Sequence, residues 1–232
     1  MAIDTRIFQG ESPWMKPVKF HFALAIYAIS LAFFARYMPA ATRASRRWRW
    51  FTGAVVFAIL AECAWLSAAA MQNTASHFNT DIPFFTAIYN LMGAFAVLLT
   101  SASLAMGISI WRNPNTGLNP AVKLSIALGL ILTFLLTVIT AGYLSTADGH
   151  FVGTPVTGAT LPILGWSREV GDLRVAHFLS THALHGLPLL GLAAARMGDA
   201  RGGLTLVWAG AAAYALLVAA VFVQALQGLP LI

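Results

Sequence analysis

Six long apolar runs, separated by short polar breaks, limit what this chain can fold into more than any other feature. A transmembrane helix needs about 20 consecutive apolar residues, and non-helical backbone cannot face lipid because its polar groups would be unpaired. The runs also lack the two-residue alternation of barrel strands. They are Phe20–Met38, Trp50–Met71, Phe84–Trp111, Val122–Tyr143, Val175–Ala195 and Leu204–Leu226. The sequence therefore predicts an all-α integral membrane protein, a six-helix transmembrane bundle.

The composition favours the same fold class. Of the 232 residues, 59% are hydrophobic and 9% are charged, whereas charged residues make up about a quarter of a soluble domain. The mean hydropathy is +0.75. Because the six runs take up most of the chain, we expect residues 1–232 to form a single transmembrane domain in a lipid bilayer.

The basic residues predict the orientation. Nine of the fourteen Lys and Arg residues lie in three alternate connections, and the positive-inside rule places such connections in the cytoplasm. They are Arg36, Arg43, Arg46, Arg47, Arg49, Arg112, Lys123, Arg196 and Arg201. Both termini are then expected on the outer side. Since this pattern accounts for most of the net charge of +6, no nucleic-acid partner is expected.

In that topology all six histidines lie on the outer side, and neutral imidazole is a common ligand of haem iron, zinc and copper. Four of them are near the interface, and two are deeper, about 12 and 17 Å along the helix from Arg174. The shallow group is His21, His77, His150 and His177, and the deep pair is His182 and His185. Cys63 is the only cysteine, so a metal would need nitrogen or oxygen ligands.

Helical geometry connects the deep pair with other polar groups. His182 and His185 are one turn apart and about 60° apart around the axis, so both can approach one metal or one carboxylate. Glu62 and Asn90 lie on the order of 12 to 14 Å inside the bilayer. A charged carboxyl facing lipid costs roughly 2.5 kcal/mol or more, so Glu62 should face the bundle interior, protonated or paired with a histidine. Pro188 predicts a kink beside the pair.

The connection between the fourth and fifth spans, residues 144–174, is long and rich in Gly, Pro and Thr. About 30 residues without a helical period are unusual in a compact protein unless they are functional. We predict that this connection folds as a lid over the outer ends of the helices. The alternative is an extramembrane connection with no role in ligand binding.

Three segments carry a resemblance to other proteins. They are GWSREVGDLRVAHFLSTHALHGLPLLG (Gly165–Gly191), SHFN (Ser76–Asn79) and PWMKPVKF (Pro13–Phe20). With them the chain resembles, over most of its length, a recurring group of uncharacterised bacterial multi-span membrane proteins with a GWSxxxGDLRxxHFxxxHAxxxLPLLG-type motif. The resemblance implies a multi-pass protein of the bacterial cytoplasmic (inner) membrane. It implies nothing about catalysis, because no activity is established for that group.

The leading hypothesis is a haem b protein with its site in the outer half of the bundle. Two axial histidines must come from different helices, because bis-imidazole ligation needs nitrogens on opposite faces of the porphyrin. The predicted axial ligands are His21 or His77 on one face and His177 or His182 on the other. The predicted partners of the propionates are Lys16, Lys19 and Arg174. Such a quinol-linked oxidoreductase would pass electrons from a membrane quinol to an outer-side redox partner, with Glu62 as a proton relay.

Two other classes of function stay open. In a metal-dependent membrane enzyme, zinc or copper would be bound by His182 and His185 with a third ligand. That third ligand would be His77, His177 or Glu62, and the general base would be Asp81, Asp172 or Glu62. In a proton-coupled carrier or small-ligand receptor, Glu62 and the histidines would bind a proton or a ligand without chemistry. Any single histidine can also simply donate a hydrogen bond to a backbone carbonyl.

Overall fold

The computed structural model describes residues 4–8, 10–79, 82–147 and 149–232, and this part of the chain is mostly helical. The helices are α1 (Met15–Ala35), α2 (Ala40–Ala44), α3 (Arg46–Met71), α4 (Pro83–Arg112), α5 (Pro120–Thr146), α6 (Leu173–Thr181), α7 (Ala183–Ala194) and α8 (Ala200–Leu226). A short 3₁₀ turn, Ala195–Met197, follows α7. The strands β1 (Phe151–Val152) and β2 (Gly171–Asp172) form one antiparallel pair. The all-α prediction is confirmed.

Five helices are long and apolar enough to cross a membrane, namely α1, α3, α4, α5 and α8. The sixth predicted span is not one continuous helix. The segments Leu173–Thr181 and Ala183–Met197 pass the same test only together, and they are bent by 51° at a short break. By length and composition, the described residues of this multi-pass helical protein contain five candidate membrane spans, or six if the bent pair crosses the bilayer as one.

Local sequence explains where several helices begin. Ser45 accepts a hydrogen bond from the Trp48 backbone N–H at the start of α3, and Asn119 does the same for Ala121 at the start of α5. Pro120 follows Asn119 at the first helical position, where a missing N–H costs nothing. Asp199 accepts from two backbone N–H groups at the start of α8. Such side chains satisfy N–H groups that have no partner within the helix.

The helices fall into two compact units. Unit 1 consists of Met1–Arg36 and Ala40–Ala102, so it contains α1, α2, α3 and most of α4. Its polar contacts include the Tyr27 hydroxyl on α1, which donates to the Leu99 carbonyl on α4 at 3.0 Å. The Arg6 guanidinium donates to the Met71 carbonyl at 2.8 Å, so a residue of the N-terminal segment caps the end of α3.

Unit 2 consists of Tyr37–Pro39 and Ser103–Ile232, and α5 is its central helix. The first half of α5 is buried on nearly all sides, because α6, α7 and α8 all pack against it. The apolar core between these helices includes Leu124, Leu128, Leu187, Val207 and Ala211. The prediction that residues 1–232 form a single transmembrane domain stays a prediction.

A glycine lets α5 approach the broken span closely. A side chain at Gly129 would place its Cβ 2.9 Å from the Ala183 carbonyl oxygen and 3.2 Å from Cδ of Pro188. Those distances are tighter than ordinary van der Waals contact, so only glycine fits without a shift of the backbone. The α5 helix is therefore in direct contact with the segment in which the deep histidine pair lies.

The long connection after α5 is ordered by its own polar groups. The Glu169 carboxylate accepts from the backbone N–H groups of Val156, Thr157 and Ala159 and from the Thr157 hydroxyl. These hydrogen bonds lower the pKa of the Glu169 carboxyl from 4.5 to about 2. The connection packs against the helices of unit 2 through Trp166, whose ring contacts Phe178 of α6. Its role as a lid stays a prediction.

Candidate functional site

The break in the bent span lies at His182, which ends α6 and begins α7. In a straight helix the Leu184 N–H would bond to the carbonyl four residues earlier. Here it donates to the Thr133 hydroxyl of α5 at 2.9 Å. The Leu179 carbonyl accepts from the Tyr214 hydroxyl of α8 at 2.7 Å. Two neighbouring helices therefore satisfy backbone groups at the break, which is how broken helices are tolerated in membranes.

A bend is present beside the histidine pair, but it centres on His182, whereas Pro188 lies inside the helix α7. Proline has no N–H to donate to the Leu184 carbonyl. The helix is already interrupted at His182, on the N-terminal side of both residues. Thr133 and Tyr214 were not among the predicted site residues. One signal was visible in the sequence: Thr133, Thr137 and Thr140 recur at helical spacing, and all three are buried. Tyr214 lies in an apolar run, with no neighbour in sequence to indicate its partner.

The two deep histidines contact each other at the break. Nδ1 of His182 lies 3.1 Å from Nδ1 of His185, and the ring centroids are 5.1 Å apart. Phe178 covers the other side of the His182 ring at a centroid distance of 4.2 Å. Both imidazoles are half-buried. Helical spacing predicted that both side chains could reach one common metal or carboxylate. In the structure the two rings contact each other.

His177 lies one turn before the break on α6. Its Nδ1 is buried and has no hydrogen-bond partner among the described residues. The Thr137 hydroxyl on α5 is also buried without a partner there. An unpaired buried polar group costs roughly 1 to 3 kcal/mol, so these groups are sites where a further hydrogen-bonding species would be favourable.

Arg174 and Asp172 form an ion pair at the start of α6. The guanidinium lies 2.6 Å from the carboxylate, and it also donates to the Gly165 carbonyl at 2.6 Å. Asp172 is 1% exposed and accepts from the Ser167 backbone N–H as well. Arg174 lies over the Phe151 ring. Both residues thus hold the connection to α6, and their predicted roles as propionate partner and general base stay predictions.

In unit 1, His77 lies in a well-packed turn after α3. Its Nδ1 is 3.0 Å from the Ser76 hydroxyl, and its ring meets the edges of Phe20 at 6.5 Å and Tyr89 at 6.0 Å. Burial, helped by the charge of Lys16, lowers the pKa of His77 from 6.5 to about 3. His77 is therefore a neutral imidazole at physiological pH, the form that binds metals and haem iron.

His21 has a defined tautomer. Its Nδ1 lies 2.5 Å from the Pro17 carbonyl oxygen, and a carbonyl only accepts, so Nδ1 carries the hydrogen. In the neutral ring Nε2 is then an acceptor. His21 borders a shallow groove of about 470 Å³, which is lined by Trp14, Pro17, Val18, His21, Phe22 and Ser67. Lys16 and Lys19, the predicted propionate partners on the same helix, are exposed.

Glu62 faces the interior of unit 1, as predicted. It is 2% exposed and belongs to the buried face of α3 together with Ala58 and Leu66. Its Oε2 has no hydrogen-bond partner among the described residues. Asn90 is exposed, so it does not share the buried environment of Glu62. The pairing of Glu62 with a histidine stays a prediction.

One of the predicted general bases of the metal-dependent enzyme has no described position. Asp81 lies outside the described residues. Within the described ranges, no group of three or more His, Cys, Asp or Glu side chains is arranged to hold a metal ion. The metal site built on His77, His177, His182 and His185 stays a prediction.

The fold and the apolar helices define the chain as a helical membrane protein. Comparison with known proteins adds nothing narrower, because no family model, no curated protein and no solved structure matches the chain. The function therefore has to be argued from the polar groups within the helices.

Proposed function

We propose that this protein is a membrane proton carrier in which the proton passes through the pair His182–His185. The observation that carries the proposal is the 3.1 Å separation of the two Nδ1 atoms within a membrane span. Ionisable residues within spans are rare, and they commonly form proton pathways or substrate sites. Broken helices are also a common feature of transporter binding sites.

The Nδ1 contact dictates how the pair handles a proton. A hydrogen bond between two Nδ1 atoms requires that one ring carries its hydrogen on Nδ1 and the other on Nε2. A proton that binds the bare Nε2 of the first ring makes that ring cationic. Its Nδ1 hydrogen can then cross to Nδ1 of the second ring, which releases its own Nε2 hydrogen on the far side. The proton enters at one Nε2 and leaves from the other.

The surroundings support such a transfer. Thr133 and Tyr214 hold the backbone on both sides of the break, so the two rings keep their separation. His177 precedes the pair on α6, and its Nδ1, which no described residue contacts by a hydrogen bond, offers a further site for a proton or a water molecule. In unit 1, the buried carboxyl of Glu62 offers a second proton-binding group.

Proton flux into liposomes tests the proposal. The purified protein is reconstituted with a pH-sensitive dye inside, and a potassium diffusion potential drives protons inward. We expect flux above that of empty liposomes, lost in both His182→Gln and His185→Gln because transfer needs both rings. His150→Gln, in the outer connection, is the matched control and should retain the flux. Wild-type flux equal to empty liposomes, or unchanged flux in both pair variants, would contradict the proposal.

A haem b redox protein is the second candidate, and the tautomer of His21 favours it. A histidine whose Nδ1–H donates to a backbone carbonyl presents Nε2 to iron, which is the usual arrangement of an axial ligand. His77 is likewise neutral, with its Nδ1 held by Ser76. The other predicted axial ligand, His177 or His182, stays a prediction.

The visible spectrum separates the two candidates. A haem protein purified after growth with sufficient haem precursor shows a Soret band and sharp bands on reduction. These bands should be lost in His21→Ala or His77→Ala and retained in His150→Ala. A colourless preparation would exclude the haem candidate and leave proton transfer unaffected.

A further inference from the structure

Four arginines surround the corner between α2 and α3. Arg43 lies in the last turn of α2, and the others lie in the first turn of α3. This arginine cluster consists of Arg43, Arg46, Arg47 and Arg49, and all four side chains are exposed. Ser45 fixes the corner, since its hydroxyl accepts from the Trp48 N–H at 3.1 Å and donates to the Thr42 carbonyl at 2.7 Å.

The cluster has no acidic counterpart nearby in the chain. No Asp or Glu occurs anywhere in residues 12–61. The ion pairs of the described residues join Arg6 to Asp4 and Arg174 to Asp172, and neither involves the arginine cluster. Like charges this close together repel one another, so an anion bound among them would be stabilised by all four.

The position of the cluster along α3 indicates which anion lies within reach. The candidate span begins at Arg46, so the first turn of α3 lies at the boundary between hydrocarbon and headgroups. Trp50, which is 70% exposed, lies on the same helix face as Arg46 and Arg47. Tryptophan at the end of a span is typical of the interface. The anionic groups concentrated at this depth are lipid phosphates.

We propose that the arginine cluster is a binding site for the phosphodiester headgroup of an anionic phospholipid. The planar guanidinium groups can bind phosphate oxygens in pairs, and the positive end of the α3 dipole adds to the attraction. Trp50 would lie against the glycerol region of the same lipid. The site is independent of the proton pathway proposed above.

Native mass spectrometry of the detergent-solubilised protein tests this site. The protein is titrated with phosphatidylglycerol, with phosphatidylcholine of the same chain length, and with inorganic phosphate. We expect preferential retention of phosphatidylglycerol. Arg46→Gln/Arg49→Gln should weaken it by at least about tenfold, because each arginine near a membrane surface contributes about fivefold. Arg196→Gln/Arg201→Gln removes the same charge from another exposed connection and should retain the binding.

The outcomes are distinct. Equal binding of phosphatidylglycerol and phosphatidylcholine would overturn the proposal. An equal loss of phosphatidylglycerol binding in both double variants would also overturn it, because net charge alone would then explain the binding. Binding of free phosphate as tightly as the lipid would show an anion site without lipid recognition, and would also overturn it. If Arg46→Gln/Arg49→Gln does not fold, the salt dependence of the wild-type protein tests the site instead. Retention of phosphatidylglycerol must fall as the salt concentration rises, and retention that does not change with salt would refute the site.

Discussion

The broken span α6–α7 and the continuous span α3 treat their polar groups in opposite ways. At the break, the Leu184 N–H and the Leu179 carbonyl each find a hydroxyl from a neighbouring helix. In α3 the backbone is regular, yet the Glu62 carboxyl is buried and one of its oxygens has no partner among the described residues. At the break, hydroxyl groups of neighbouring helices therefore satisfy the backbone groups that the irregular helix leaves unpaired. In α3, this oxygen of Glu62 is instead left to bind a proton or a ligand.

The hydroxyl of Thr133 should matter most to the broken span. Thr133→Val keeps the side-chain shape but leaves the buried Leu184 N–H without a partner, which should lower the free energy of unfolding by about 2 kcal/mol. Denaturant titration in detergent, followed by circular dichroism, measures the loss. Thr146→Val, on the exposed end of the same helix, is the control and should change little. Equal stability of both variants would mean that the break needs no such partner.

The hydroxyl of Tyr214 should have the next largest effect. Tyr214→Phe removes the bond to the Leu179 carbonyl, which has a second donor in the His182 N–H. We therefore expect a smaller loss of about 1 kcal/mol, measured by the same titration. Tyr143→Phe, at an exposed tyrosine of α5, is the matched control. A loss as large as that of Thr133→Val would show that the two bonds are equivalent.

Glu62 should contribute little to stability and much to reactivity. A carboxyl at this depth whose Oε2 has no partner among the described residues should carry a proton, so Glu62→Gln replaces one neutral group by another of the same shape. We expect a change of less than about 1 kcal/mol in the free energy of unfolding. Dicyclohexylcarbodiimide, which reacts with protonated carboxyls inside membranes, should label Glu62, as read by mass spectrometry of peptides. A strongly destabilised Glu62→Gln, or an unlabelled Glu62 in folded protein, would argue for a charged, paired carboxylate.

The smallest effect is expected for Glu169, which in contrast to Glu62 is half-buried and has a carboxylate that accepts several hydrogen bonds. Its folded-state pKa, about 2, lies below the ordinary value of 4.5. Its contribution to the order of the connection is therefore complete above pH 4.5 and is lost as the pH falls toward 2. Hydrogen-exchange protection of the Val156, Thr157 and Ala159 amides should decrease over that range in wild type. Glu169→Gln should show no such dependence, and an identical decrease in both proteins would refute the assignment.

The apolar runs were sufficient to predict helices and a membrane protein, because the period and length of such runs depend on local composition. The burial of Glu62 followed from the cost of a carboxyl in lipid. The chemistry of Pro188 predicted a bend in this segment but not its position at His182. The contacts of the break did not follow. Thr133 and Tyr214 are separated from Leu184 and Leu179 by tens of residues, and only packing of α5 and α8 brings them together. The same holds for Glu169, whose donors lie across a turn.

The two hydrogen bonds at the break also determine how much free energy is needed to straighten the span. Straightening the span around His182 would release the bonds from Thr133 and Tyr214, at roughly 2 kcal/mol together. By these two bonds alone, a straight form would then be populated at about one part in thirty. A bound ligand that prefers the straight form by about 4 kcal/mol would reverse that ratio. The bend at His182 is therefore strong enough to hold one shape at rest and weak enough to be straightened by a bound ligand.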